Sequence, residues 1–200
     1  QADAWCSGSG RTVLDRSVRQ PNEDLVNQGD KMKILCGTDF SIHAINAANV
    51  AVALAARCNT TLRLVHALSP SGLEYLSQKQ AGQLRSKLRR KLVAEGRRLR
   101  ASGVRVRESF VLGMPHQALT RTAARFKSNV IVVSTLGQMA PRQLLVGSVA
   151  ERTAQNSTVP TLVVRDHKRL IAWAEGKRPL RVLVGYDFSP SSDAALRWVA

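Results

Sequence analysis

Four small residues at one spacing are the first feature of this sequence that can do chemistry. Ser134 and Gly137 are followed, after nine residues, by Gly147 and Ser148, with Val149 next in line. Small residues let backbone N–H groups come close to an anion, and a helix opening at Gly147-Ser148 adds the partial positive charge of its N-terminus. The spacing therefore reads as a phosphate cradle. Arg142 lies inside the same segment and has the charge to pair with a phosphate, although an arginine in an exposed loop is more often only solvated. Asp39, in the run Gly37-Thr38-Asp39-Phe40-Ser41, is the second candidate. Either its carboxylate accepts hydrogen bonds from a ribose hydroxyl or a purine amine, or it organises the turn while Ser41 caps the following helix.

No other constellation competes with these residues. The chain has no G-x-S-x-G elbow, no G-x-x-x-x-G-K-[ST] loop and no paired carboxylates near the proposed site, so efficient catalysis is not expected. His66 and His116, the histidines nearest strand or helix ends, read as structural residues. His43, His66, His116 and His167 are too far apart in sequence for the usual short-range metal-ligand pairs, and no metal site is expected. Cys6, Cys36 and Cys58 are odd in number and widely spaced, which suggests reduced thiols and a cytoplasmic chain. Gly8-Ser9-Gly10 follows no strand, so it does not read as a dinucleotide fingerprint.

The elements that must position the cradle are legible from Lys33 onward. Short β-branched runs at 33–37, 61–67, 104–111, 129–134 and 160–165 alternate with longer stretches of helical period, the pattern of β-α-β units around a parallel sheet. Ile45, Ala48, Val52 and Ala55 mark one helix face, and Leu73, Leu76, Leu84, Leu88 and Leu92 mark the next. Pro115 opens a third helix with Leu119, Thr122, Ala123 and Phe126 on its apolar stripe. The run at 129–134 is apolar throughout and predicts a central strand. The run at 104–111 alternates with charge and predicts an edge. About twelve residues separate Ser134 from Gly147, where such connections usually run to about 2–6, which marks the loop as functional or disordered. If the first and fourth strands flank the point where strand order reverses, Asp39 and the Ser134 loop face each other there.

Thirty Lys and Arg against fourteen Asp and Glu give a net charge of +16, which attracts polyanions through a salt-dependent field. Nine of the basic residues fall between Leu73 and Ala101. That segment has no interleaved aromatics, so nucleic-acid binding is the weaker reading of it. No run is long and apolar enough to span a membrane. Residues 1–31 are polar and aperiodic and are expected to be a disordered arm, and Met32 stands where translation of the domain itself would begin.

At this point the residues resemble a known family. Gly37-Thr-Asp39-Phe-Ser41, Gly113-Met-Pro115-His116 and the fingerprint G-x2-G-x9-G-[S/T] are similar to those of universal stress proteins, over Lys33 to Asp166. Gly137, Gly147 and Ser148 match the fingerprint. Ser134 stands where ATP-binding members carry glycine, adding a Cβ and a hydroxyl near the phosphate path. The resemblance implies an open five-stranded parallel sheet of order 3-2-1-4-5, with Thr38, Asp39 and the fingerprint around an adenine nucleotide such as ATP, and Mg2+ only as its counter-ion. It places Ala67 and Val133 beside the adenine, with Ala67 smaller than the branched residue often found there. It also implies a stress-response or signalling role, weak ATPase activity in some members, and pairing through the fifth strand as a homodimer or with a tandem domain. A module that has lost nucleotide and binds proteins is the alternative.

Arg181-Val-Leu-Val-Gly-Tyr-Asp187-Phe-Ser189 repeats Lys33 to Ser41 at an offset of 148 residues. Residues 180–200 are therefore expected to be the first strand and helix of a second, truncated domain, with 167–179 as a linker whose Leu170, Ile171 and Trp173 pack somewhere.

Overall fold

The computed structural model describes residues 32–137 and 146–199. The expected arm at 1–31 and Arg142 lie outside the described residues.

The five apolar runs form strands, each within a residue or two of its expected bounds: β1 (Ile34–Gly37), β2 (Thr61–Leu68), β3 (Arg105–Leu112), β4 (Val130–Ser134) and β5 (Thr161–Val164). All pair in parallel in the order β3-β2-β1-β4-β5. Successive side chains of a strand point to opposite faces, so each central strand feeds two cores. Ile34, Cys36, Leu62, Leu64 and Val132 join one cluster, and Leu35, Val65, Ile131 and Val133 join the other. Helices α1 (Ile42–Arg57) and α2 (Gln78–Arg100) cover the first face, and α3 (Pro115–Arg125) and α4 (Ser148–Asn156) cover the second. The doubly covered β1 and β4 are apolar, while β3 at the edge keeps Arg105 and Arg107 exposed.

The α1 stripe is alanine-rich, with Ala44, Ala47, Ala48, Ala51 and Ala55 all buried. Small side chains let that helix lie close on the sheet. Ser41 caps it, its hydroxyl accepting from the Ala44 N–H at 3.2 Å.

Three expectations need correction. The second helix does not include Leu73 or Leu76, because Ser77 closes a capping box that starts it at Gln78. The Gln80 N–H donates to Ser77 Oγ at 3.3 Å, and the Ser77 N–H donates to Gln80 Oε1 at 2.9 Å. The expected linker is largely helical: α5 (His167–Ala174) is capped by Asp166, and it packs Leu170, Ile171 and Trp173 against the α1 side of the core. Arg57 fastens it, stacking 5.2 Å from the Trp173 ring centroid and donating to the carbonyls of Trp173 and Ala174. Finally, residues 181–187 form no strand, although the helix of the repeat does form, as α6 (Pro190–Val199). A strand needs a neighbouring strand for its backbone groups, and none lies beside this segment among the described residues.

Candidate functional site

Strand order reverses between β1 and β4, since α1 and α2 carry the chain outward to β2 and β3 before α3 brings it back to β4. The loops leaving β1 and β4 therefore diverge and open a crevice at the carboxyl ends of the strands. A cleft of about 490 Å3 lies there, within the usual size of ligand pockets, roughly 300–1,000 Å3.

The β1 side is held from within. Thr38 extends the ladder by donating to the Val65 carbonyl, and its hydroxyl accepts the Phe40 N–H at 3.1 Å. Asp39 Oδ1 accepts the Ser41 N–H at 2.9 Å. Phe40 has φ +65°, a left-handed conformation that is strained for a bulky side chain. The Phe40 ring lies 4.5 Å from that of His66, and His66 Nδ1 donates to the Thr38 carbonyl at 2.7 Å. The turn-organising role of Asp39 is thus real. Its Oδ2 meanwhile faces across the cleft toward Gly137, where an added Cβ would sit 2.7 Å away.

The β4 side is the loop of the fingerprint. Thr135 continues β4 by donating to the Val164 carbonyl, and its own carbonyl accepts the Gly147 N–H. That bond fixes the far end of the loop beside its start. A Cβ at Gly147 would approach the Thr135 oxygen to 3.0 Å, so the junction is built around glycine. Gly147 is the N-cap of α4 and brings no side chain to cap it. The first N–H groups of α4 thereby lack the side-chain acceptor that Ser41 and Ser77 supply elsewhere. The Ser134 hydroxyl is committed within the loop, donating to the Leu136 carbonyl at 2.8 Å.

Thr38, Asp39, Ala67, Val133, Ser134, Gly137, Gly147, Ser148 and Val149, all nine candidate residues, line this one cleft. Sequence reasoning missed Ala44, Pro115, Leu119, Thr135 and Ala150, which line it as well. Of these, Leu119 read only as part of a helix stripe and Pro115 only as a helix start, because it is the crossing of the helices over the sheet that brings them to the crevice. Thr135 had a signal, being the residue after Ser134 in the fingerprint. Asp39 is the one ionisable side chain on the lining among the described residues. His116 is half-buried at the second position of α3 and does not line the cleft. His66 is buried beside it, and its Nε2 has no partner among the described residues.

The universal stress protein family matches residues 32–165. A universal stress protein of Methanocaldococcus jannaschii is 28% identical over 158 residues, which cover 72% of this chain and 89% of the relative. One of Thermus aquaticus is 33% identical over 136 residues, covering 66% of this chain and 97% of the relative. The structure of a universal stress protein in complex with cAMP aligns with a TM-score of 0.52 and 26% identity, over 68% of this chain and 98% of that one. No helix among the described residues is long and apolar enough to cross a membrane. The sequence match and the sheet order agree: the chain belongs to the universal stress protein family.

Proposed function

We propose that the cleft binds an adenine nucleotide, ATP in the first instance, and that occupancy serves a stress-response or signalling role rather than catalysis. The observation that carries this reading is the uncapped α4 N-terminus held beside Gly137 and facing Asp39. The Gly147 N–H is spent on the Thr135 carbonyl, but the N–H groups of Ser148 and Val149, with no side-chain cap, suit a phosphate, and the two glycine positions leave the room that a Cβ would fill. Ala67 and Val133 offer an apolar wall for the base, and the Asp39 carboxylate suits a ribose hydroxyl or a purine amine. The binding of cAMP by the relative solved with it supports an adenylate as the ligand class. Mg2+ would accompany the phosphates as a counter-ion. Among the described residues the lining has Asp39 as its one ionisable group and so no acid and base pair, which supports a binding role with at most weak ATPase activity.

The Ser134 hydroxyl is spent on the Leu136 carbonyl. It braces the loop from inside. Pairing through the exposed edge of β5, as a homodimer or with a second domain, completes the proposal.

Calorimetric titration of ATP tests it, with Gly137→Val as the control. The variant drives a branched side chain into Asp39 and should weaken binding by about tenfold or more, the worth of one charge-assisted hydrogen bond. No heat at millimolar ATP from the unaltered chain would favour the nucleotide-free reading.

A further inference from the structure

Away from the nucleotide cleft, on the same face of the sheet as α3, three arginines converge with no acid among them. Arg63 on β2 and Arg107 on β3 are register partners, so their side chains leave neighbouring strands side by side. Arg125 ends α3 above them. The ring of Phe126 organises the group: the Arg63 guanidinium lies over it at 3.3 Å from its centroid, and that of Arg125 lies 5.7 Å away. Arg63 Nη1 also donates to Ser109 Oγ at 2.9 Å. Arg63 is half-buried, whereas Arg107 and Arg125 are exposed.

A solvated arginine is the ordinary explanation of a surface cation, and it suits Arg125, whose charge complements the helix C-terminus. It does not suit Arg63, which is stacked, hydrogen-bonded and half-buried beside a second arginine. β2, β3, α3 and residues 126–129 contain one acidic residue between them, Glu108. Its register partner Leu64 belongs to the opposite core, and its carboxylate pairs there with Arg100 on α2 at 2.7 Å. The acid of α4, Glu151, bonds to Gln155 in its own helix. Among the described residues no carboxylate lies within ion-pair distance of Arg63, Arg107 or Arg125. Burial, and then the charges of Arg107 and Arg125, lower the pKa of Arg63. The cluster is thus held together against its own repulsion, which an anion would relieve.

We propose that Arg63, Arg107 and Arg125 form a binding site for a small polyvalent phosphate-type anion, separate from the nucleotide cleft. The site lies near the start of β2 and the end of α3, whereas the cleft lies at the carboxyl ends of the strands and the start of α4. Guanidinium forks match phosphate oxygens in pairs, and three of them offset more than the single charge of a carboxylate.

Inorganic pyrophosphate is the probe, titrated into the full chain at about 0.15 M salt to suppress non-specific attraction. Arg107→Gln and Arg125→Gln alter exposed side chains, and unchanged melting temperatures without ligand would show them folded. Gly137→Val closes the cleft as an alternative seat. The expected pattern is saturable binding that survives Gly137→Val and weakens about tenfold or more in each arginine variant. The ATP binding that Gly137→Val removes belongs to the cleft, and that part should be the same in both arginine variants as in the parent chain. Three results would overturn the proposal: pyrophosphate binding lost in Gly137→Val yet kept in the arginine variants, no saturable binding by the parent chain, or a response that needs duplex DNA and is absent with pyrophosphate. The nucleotide reading fails separately, by the absence of ATP binding.

Discussion

The loop that presents Asp39 depends on a histidine outside the cleft. His66 is sandwiched between Phe40 and Phe110, at ring-centroid distances of 4.5 and 5.8 Å, and its bond to a carbonyl requires the proton to sit on Nδ1. Burial, the largest cause, pulls its pKa below 6.5, opposed by the Thr38 carbonyl and Asp39 and reinforced by Lys91. The unfolded chain therefore takes up a proton near pH 6.5 while the folded chain stays neutral, so the unfolded state binds more protons as pH falls through that value. Stability attributable to His66 is complete above about pH 6.5 and is lost progressively below it, toward the depressed folded pKa. Melting temperature should fall more steeply between pH 7 and pH 5 in the parent chain than in His66→Gln, which cannot take up the proton. Parallel curves for the two would show that His66 carries no such linkage. The sequence identified His66 as structural from its position near a strand end. The stacking on Phe40 was not legible, because it depends on the left-handed turn that Asp39 and Thr38 impose.

Among the elements, α2 shows where a local rule and the fold disagree. Gly96 lies in the interior of this helix, where glycine costs about 1 kcal/mol relative to alanine. An exposed-helix argument would make Gly96→Ala stabilising. Gly96 is buried, and the Cβ would overlap the Glu108 carboxylate, with Glu108 Cγ only 2.8 Å away. Glu108 cannot swing aside freely because its carboxylate is paired with Arg100, which also donates to the Val106 carbonyl on the edge strand. Gly96→Ala should lower stability by about 1–3 kcal/mol, the usual cost of overpacking. In Glu108→Ala the same substitution should become neutral or favourable, which a double-mutant cycle by denaturant unfolding would measure. The helix itself was legible in the leucine spacing and its start was not, since Leu73 and Leu76 continue that spacing through residues that lie outside the helix. The Ser77-x-x-Gln80 box was present in the sequence and outweighed the leucines. The full sheet order came from the family resemblance; the residues themselves showed only that β4, apolar throughout, is central and that β3, alternating with charge, lies at an edge.

At the scale of the whole molecule, the C-terminal repeat has the local structure of β1-α1 without the sheet. Asp187 Oδ1 accepts the Ser189 N–H at 3.0 Å, against 2.9 Å for Asp39 and Ser41, and Phe188 has φ +63° against +65° for Phe40. Ser189 caps α6 as Ser41 caps α1, accepting from the third residue on at 3.2 Å in both. The Asp-Phe-Ser turn and the serine cap that starts the helix are therefore local properties of the repeated positions, whereas the strand before them is a property of its neighbours. This is why the repeat was legible and the missing strand was not. The consequence is exposed apolar surface: Leu183 and Phe188 are 97% and 85% accessible, with Trp198 half-exposed. The matching positions of the first repeat, Leu35 on β1, Phe40 in the turn and Val50 on α1, lie in or against the core, and apolar area left in water favours association at about 25 cal/mol per Å2 on burial. The chain should therefore self-associate more strongly with residues 180–200 than without them, and Leu183→Asp with Trp198→Asp should reproduce the loss. Sedimentation velocity over a concentration series reads the difference directly. Identical sedimentation of all three forms would leave association to the β5 edge alone, in keeping with pairing through the fifth strand.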